Sequence, residues 1–335
     1  MVKNAIIAIN KKIIYMIKIL IIGGNGFIGL HLVKTLTEKG YNITIYDKSH
    51  VEYSKLTMCG DVGQVNFVSG DVTDFENIKQ NIYYIDYVIN LAIIYNEKDK
   101  NFNKINYDLP LYISSLINRF THIKFINFSM MHINSLETKL MTKKLQVEKL
   151  LYSTMNKNIC VIKPGVVFGE HDHFLNFFAT LIKFCDIMQI KFPIIKGEQY
   201  KKILYPIYAG DIAQIIATLL QGEIHFHQII PCIGNTPVTI VDIFKEISAK
   251  INRKHVDYKE ISYQSMQKFK KFWGNSLMHF IIKIFMRQKE FIIDSHHIDF
   301  LNCKEIEHYN VSHQNILPNN KMKDIFDFIN KTEEF

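Results

Sequence analysis

Three features of the chain predict an α/β fold, a doubly wound parallel sheet with a smaller, mostly helical C-terminal lobe. Short apolar runs alternate with longer amphipathic stretches through the first half, as in successive βαβ units. A glycine-rich turn joins the first run to the first amphipathic stretch, so a strand enters a helix through a tight backbone loop. Beyond Gly169 the alternation weakens and the chain becomes more polar and basic, which predicts a second lobe.

Strands are expected at Lys18–Ile22, Asn42–Tyr46, Val65–Val68, Tyr87–Leu91, Lys124–Phe128 and Ile159–Ile162, each a short apolar run. The first helix is expected over Phe27–Glu38, immediately after the glycines. Residues 170–205 read as an insertion with helices, 206–235 as a return to the sheet domain with a helix after Asp211, and 236–335 as mostly helical. The sheet domain is therefore expected over 16–169 and 206–235, interleaved with a smaller lobe over 170–205 and 236–335. Residues 1–15 carry Lys3, Lys11 and Lys12 and no acidic residue. They read as an N-terminal extension or a misassigned start ahead of Met16, the alternative being a short organelle-targeting segment.

The 335 residues, 48% hydrophobic and 21% charged, suffice for about two domains at ~150 residues each and exclude a disordered or fibrous class. Uncharged stretches such as Ile19–Val33 and Phe272–Ile282 are broken by glycine or fall short of the ~20 residues of a membrane helix, so none is expected. The net charge of +8 suits an anionic partner: a phosphate-bearing cofactor, an acidic membrane surface or nucleic acid. No nucleic-acid-binding module is present, so nucleic acid is not expected. Cys59, Cys160, Cys185, Cys232 and Cys303 are scattered and odd in number, which fits a reducing compartment and neither a disulfide framework nor a zinc ribbon.

The turn Gly23-Gly24-Asn25-Gly26-Phe27-Ile28-Gly29 follows a strand and opens a helix. Glycines there permit the tight turn, the close approach of a pyrophosphate and the packing of helix on strand, while the helix start offers N–H groups to the phosphates. These are the marks of a Rossmann-type sheet binding NAD(H) or NADP(H). Asp47, 18 residues beyond the last glycine, is placed to accept from the adenine ribose hydroxyls and favours NAD(H); the neighbouring Lys48 would pair with a 2′-phosphate and keeps NADP(H) open. In Gly70-Asp71-Val72-Thr73-Asp74, Asp71 and Val72 are expected against the adenine, the alternative for Asp71 being a helix N-cap. Asn90-Leu91-Ala92 leaves small residues at the end of the fourth strand, freeing backbone for the centre of the cofactor, and Asn106 is expected on a helix face lining the same crevice. Either asparagine has the alternative of a cap or turn residue.

These residues resemble the extended and atypical short-chain dehydrogenase/reductase superfamily. The likeness is closer to one atypical family, the Rossmann-type accessory subunit of respiratory complex I and its bacterial relatives. Gly60-Asp61-Val62-Gly63-Gln64, Pro164–Gly169 followed by Glu170–Ala179, Tyr205–Ala213 and a late Ile316-Leu317-Pro318 carry it. The resemblance implies a dinucleotide-binding accessory or assembly subunit that docks on the peripheral arm of complex I. Its place would be the bacterial cytoplasm or mitochondrial matrix, peripheral to the energy-transducing membrane.

Enzymes of the superfamily use a tyrosine, a lysine four residues later and a serine or threonine that orients the substrate. In Thr138–Glu148 the lysine position falls on Lys144, and four residues earlier stands Leu140. Ser129 ends the fifth strand and is followed by Met130 and Met131. Without the phenol, proton transfer lacks its donor. Ser129 and Lys144 are then remnants: Lys144 retains the role of binding the nicotinamide ribose, the alternative being a solvated helix face. The chain is thus expected to hold its nucleotide without turning it over. The competing expectation is an NAD(P)-dependent oxidoreductase, epimerase or dehydratase acting on a nucleotide sugar, isoprenoid or quinone precursor, with Tyr95, Tyr205 or His132 as the substitute acid. A third is a free redox-sensing regulator that binds NAD(P)H and a partner protein.

Glu170-His171-Asp172-His173 has the ligand types of a metal site, but adjacent residues in one loop rarely converge on one ion, and no metal is expected. His225, His227, His296 and His297 lack a carboxylate or thiol at ligand spacing, and no nucleophile elbow of a hydrolase is present. Lys268–Arg287 interleaves Lys268, Lys270, Lys271, Lys283 and Arg287 with aromatic and aliphatic residues. It reads as a helix covering the small lobe's core with a basic edge, the alternative being contact with an anionic membrane surface.

Overall fold

A computed structural model of the chain describes residues 16–48, 53–131, 138–154, 156–195, 203–222, 225–252, 257–262, 265 and 322–333. Residues 1–15, His132, Lys268–Arg287, His296, His297, Cys303 and Ile316–Pro318 lie outside them.

Each apolar run of the first half forms a strand, buried on both faces except in the edge strand that begins at Val65. The strands are β1 (Lys18–Ile22), β2 (Asn42–Asp47), β3 (Val65–Ser69), β4 (Tyr87–Asn90), β5 (Lys124–Phe128) and β6 (Ile159–Pro164). Between them run α1 (Phe27–Glu38), α2 (Tyr53–Thr57), α3 (Phe75–Ile82), α4 (Leu109–Arg119) and α5 (Lys139–Ser153), with a π-helical turn, Lys104–Asp108, leading into α4. With β10 (Ile229–Cys232) as the seventh strand, the order is β10-β6-β5-β4-β1-β2-β3, all parallel. The chain therefore winds outward from β1 in one direction, returns, and continues from β4 in the other. The reversal opens a crevice between the ends of β1 and β4, the place where such sheets bind ligands.

Alternate residues feed the two faces, because side chains of a strand point to opposite sides. Ile19, Ile21, Ile43 and Ile45 pack with Leu32 and Leu36 of α1 and with Ile212 and Ile216 of α7 (Ala209–Leu220). Leu20, Ile22 and Val88 pack with Ile78, Ile113 and Val147 of the helices opposite. At about 1.5–3 kcal/mol for each large side chain fully buried, these two layers hold the sheet domain.

Two differences from expectation have local causes. The seventh strand, β10 (Ile229–Cys232), carries Pro231 in a run of four residues and has no strand signature; it lies at the sheet edge, where a missing N–H costs no ladder bond. Helix α7 begins at Ala209, two residues ahead of Asp211, so Asp211 stands in its first turn, where a carboxylate suits the helix dipole.

A third cluster lies beyond Val167. Strand β7 (Val167–Phe168) pairs with β9 (Ile207–Tyr208), and β8 (Phe192–Ile195) with β11 (Tyr258–Ile261). Phe168, Phe178 of α6 (His173–Ile187), Phe192, Phe244 of α8 (Ile240–Asn252) and Phe328 of α9 (Ile325–Lys331) form its centre. Among the described residues no helix is long and apolar enough to cross a membrane.

Candidate nucleotide site

The glycine turn is bare backbone packed against backbone. Gly23 has φ +74°, its N–H donates to Tyr46 O at 2.9 Å, and a Cβ on it would stand 3.0 Å from Ala92 N. A Cβ on Gly29 would stand 2.0 Å from Gly24 O, so only glycine lets α1 approach the loop this closely. Gly26 differs: it is exposed, and its Cβ would meet nothing nearer than Gly23 O at 3.7 Å. As N-cap of α1 it supplies no side-chain acceptor, and the first turn holds no acidic residue. The initial N–H groups, those of Phe27 and Ile28 among them, are thus open at the positive end of a helix of 12 residues, a ready anion site. Asn25 Oδ1 is buried in the turn without a hydrogen-bond partner. A bare cradle, an uncapped helix start and an orphaned amide oxygen fit a phosphate carrying hydroxylated sugars.

At the end of β2, Asp47 Oδ2 accepts from Asn25 N at 3.2 Å and so braces the turn, with the exposed Lys48 beside it. Gly70 N donates to Asp47 O at 3.0 Å, which brings Asp71 and Val72 to the same edge. Asp71 is not the helix cap. Asp74 fills that place, accepting from Asn77 N at 3.1 Å, whereas Asp71 Oδ1 closes a short turn on Thr73 N at 2.8 Å. The bonds from Thr73, with Lys48 and Lys104 assisting, hold the Asp71 carboxyl below its ordinary range although burial opposes them.

The far wall of the crevice is built by asparagines. Asn90 Nδ2 donates to Asn127 Oδ1 at 2.9 Å, and Asn90 Oδ1 accepts from Ala92 N at 3.2 Å. Leu91 N donates to Ile22 O at 2.9 Å, tying this wall to β1. Asn106 departs from expectation: it sits in the π-helical turn, fully buried, and spends its amide on Ile94, donating to Ile94 O at 2.7 Å and accepting from Ile94 N at 3.2 Å. It fixes the loop after β4.

Leu140 is buried in the first turn of α5, and its N–H donates to Glu97 Oε1 at 3.3 Å. Lys144 is not on a solvated face. It is 3% exposed, its Nζ donates to Phe128 O at 3.2 Å, and burial lowers its ammonium from 10.5 to about 8. Ser129 Oγ donates to Glu148 Oε2 at 3.2 Å, and Glu148 Oε1 pairs with Lys163 Nζ at 3.1 Å. Ser129, Lys144, Glu148 and Lys163 are polar and all are buried. Of the substitute acids, Tyr95 is exposed on the loop after β4 and Tyr205 lies beside Gly165, its carbonyl accepting from Gly234 N at 3.1 Å.

A second polar group, not legible in the sequence, joins α1 to Glu170, Tyr208 and Lys323. His31, one helical turn beyond Phe27, is buried against the rings of Phe27 and Tyr208 and stands 3.7 Å from Glu170 Oε2. Tyr208 Oη donates to Glu170 Oε2 at 2.7 Å, and Lys323 Nζ donates to Glu170 Oε1 at 3.4 Å. Burial pushes Glu170 up, but the Tyr208 bond and the nearby cations outweigh it and hold its carboxyl low. Burial likewise raises Asp211 to about 6 despite the bond from Lys323 N at 2.9 Å. Asp172 caps α6, accepting from Leu175 N at 2.5 Å. Among the described residues no three His, Cys, Asp or Glu side chains converge as a metal site. His31, Asn127, Lys163, Tyr208 and Lys323 have no local pattern that singles them out; the fold brings them together.

Sheet order and glycine turn define a Rossmann-type nucleotide-binding protein, and residues 19–133 match the model of the NAD dependent epimerase/dehydratase family. More particularly, the chain is similar to NADH dehydrogenase [ubiquinone] 1 alpha subcomplex subunit 9, mitochondrial, of Rattus norvegicus: 25% identical over 250 residues, covering 71% of this chain and 62% of that protein. The chain therefore spans less than two thirds of that relative's length. Among solved structures it is similar in fold to Pal from Bacillus thuringiensis, with a TM-score of 0.66 and 17% identity over 95% of this chain and 98% of the other. It is also similar to dTDP-glucose 4,6-dehydratase from Bacillus anthracis in complex with NAD, with a TM-score of 0.59 and 16% identity over 76% and 90%.

Proposed function

We propose that the chain binds NAD(H) or NADP(H) without turning it over and serves as an accessory or assembly subunit of respiratory complex I. The observation that carries this reading is the state of three positions where an active short-chain dehydrogenase keeps its catalytic groups. One holds a buried leucine, Leu140; the second holds Lys144, which bonds a backbone carbonyl; the third holds Ser129, which bonds Glu148. The relationship to the mitochondrial alpha subcomplex subunit supports the assignment to complex I.

In this reading Gly23, Gly26, Phe27, Ile28 and Gly29 receive the pyrophosphate. Asp47 or Lys48 chooses between the two adenosine riboses, Asp71 and Val72 border the adenine, Leu91 and Ala92 border the centre of the cofactor, and Lys144 reaches the nicotinamide ribose. A bound dinucleotide supplies hydride chemistry in active relatives; here it stabilises the fold by mass action, since only the folded chain has the site. The protein docks on peripheral-arm subunits, in the mitochondrial matrix or bacterial cytoplasm, beside the energy-transducing membrane.

The test is to denature the purified chain, identify the released nucleotide, and follow the tagged protein on native gels of solubilised membranes. Stoichiometric NAD(P)(H) and comigration with complex I are expected. An empty site removes the cofactor, and recovery without any respiratory subunit removes the partner.

A second reading, an active oxidoreductase, epimerase or dehydratase, is favoured by one observation: the Glu97 carboxylate stands at Leu140 N, beside the position the phenol would occupy. Turnover of NADH or NADPH with a nucleotide sugar, isoprenoid or quinone precursor, lost in Lys144→Ala, would establish it.

A further inference from the structure

Because the sheet is parallel, the nucleotide turn lies at one edge and the segments entering β10, β6, β5 and β4 lie side by side at the other. That far edge is aromatic and basic. Tyr83 and Tyr84 follow α3 and are 55% and 75% exposed; Leu150 and Tyr152, in the last turn of α5, are exposed as well. Rings and asparagines link these segments. Tyr83 packs edge-on against Tyr84 and against Phe120, Asn158 Nδ2 donates to Thr121 O at 2.6 Å, and Asn156 O lies 3.1 Å from His227 Nδ1. The His227 ring stacks on Tyr152 at 5.3 Å. The row is thus one rigid surface.

Among the described residues its charge is mostly basic. Arg119, Lys149 and Lys157 are exposed and have no ion pair among the described residues. His122 and His225 are exposed beside them. Among the described residues of this edge, the acid Asp86 accepts from Lys18 N at 2.8 Å, and Lys124 lies over the Phe226 ring at 4.8 Å.

We propose that this edge is a docking surface for an anionic phospholipid bilayer. Tyrosines on loop tips present an apolar ring and a polar hydroxyl, the combination that rests at headgroup level, and neighbouring unpaired cations are drawn to acidic lipid. The four segments enter neighbouring strands at the same end of the sheet, so they lie side by side toward one surface. The nucleotide crevice then faces away from the membrane and stays accessible to a protein partner.

The full-length chain is sedimented with vesicles of phosphatidylcholine alone and with about 30% phosphatidylglycerol added, at low and high salt. Wild type is expected to bind the acidic vesicles, at least tenfold more weakly the neutral ones, and to be released by salt. Arg119→Glu/Lys149→Glu and Tyr83→Ser/Tyr84→Ser should each lower binding about tenfold with melting temperature and nucleotide content unchanged. Lys157→Glu, a single change on an exposed loop, serves as a further variant and should lower binding severalfold. No binding to acidic vesicles overturns the proposal, as does undiminished binding by the variants, which would place membrane contact elsewhere. Variants that keep vesicle binding but lose a copurifying acidic protein would make the edge a protein interface and also overturn it. Nucleotide content reads the proposed cofactor role separately.

Discussion

Replacing Glu148 by Gln removes the carboxylate that Lys163 and Ser129 share. The side chains of Lys163 and Glu148 are 2% and 8% exposed, so the ammonium left behind cannot be rehydrated without opening the interior between α5 and β6. Breaking a buried pair from one side costs about 3–5 kcal/mol, against about 0–1 kcal/mol for an exposed pair. The expected loss is therefore in the upper range, and Ser129 loses a charged acceptor as well. Removing both charges is a different perturbation. Glu148→Leu/Lys163→Met keeps volume and dispenses with desolvation, and buried pairs replaced in this way are often neutral or stabilised by about 1–4 kcal/mol. Urea unfolding followed by circular dichroism, with equal m-values required, measures both variants. If Glu148→Gln costs no more than about 1 kcal/mol, or the double variant is as unstable as the single one, the pair is not the closed structural cluster described. Nucleotide content of the double variant adds a functional reading: it should persist, because the pair holds α5 in place and does not touch the cofactor.

The glycine turn separates folding from binding. Gly29→Ala drives a methyl to 2.0 Å from Gly24 O and should destabilise the chain by about 1–3 kcal/mol or more, while Gly26→Ala, with 3.7 Å of room, should leave the melting temperature nearly unchanged and still lose nucleotide. Lys144 gives stability an alkaline signature. Its ammonium falls from 10.5 to about 8, so between those values the unfolded chain binds the extra proton and stability rises with pH, by about 3 kcal/mol in all; in Lys144→Met this rise disappears. Asp211 acts in the acid range with a negative slope. Raised from 3.8 to about 6, it binds its proton more tightly in the folded chain, so stability falls as pH climbs from 4 to 6, and Asp211→Asn, titrated by thermal melts, should flatten that fall.

The sheet and its ligand-facing turn were legible because both are written locally. Apolar runs such as Lys18–Ile22 and the glycines of the turn carry their reason in neighbouring residues: a strand must be buried, and a backbone must pass where a Cβ cannot. The absence of a phenol at Leu140 was equally plain, since helical spacing fixes which residue stands one turn before Lys144. Strand β10 escaped notice because four residues with a proline resemble a loop until they are seen at an edge. Asn106 and Asp71 were legible as residues of the crevice region but not in their bonds. An amide or carboxylate spends its hydrogen bonds on whatever the fold brings within 3 Å, here Ile94 and Thr73.

Lys144 shows the same division within one residue. Sequence spacing placed it where the superfamily keeps its lysine, but whether that ammonium meets water or the carbonyl of Phe128 depends on how closely α5 lies on β5. The pairing of Lys163 with Glu148, and of Glu170 with Tyr208 and Lys323, spans up to 153 positions. The sequence by itself determined the α/β class, the bare turn and the leucine one turn before Lys144, which rest on steric and periodic rules acting within a few residues. Tertiary structure alone decided which charges are buried together, because desolvation and Coulomb attraction act through space, and the chain order does not record which groups close packing brings within their reach.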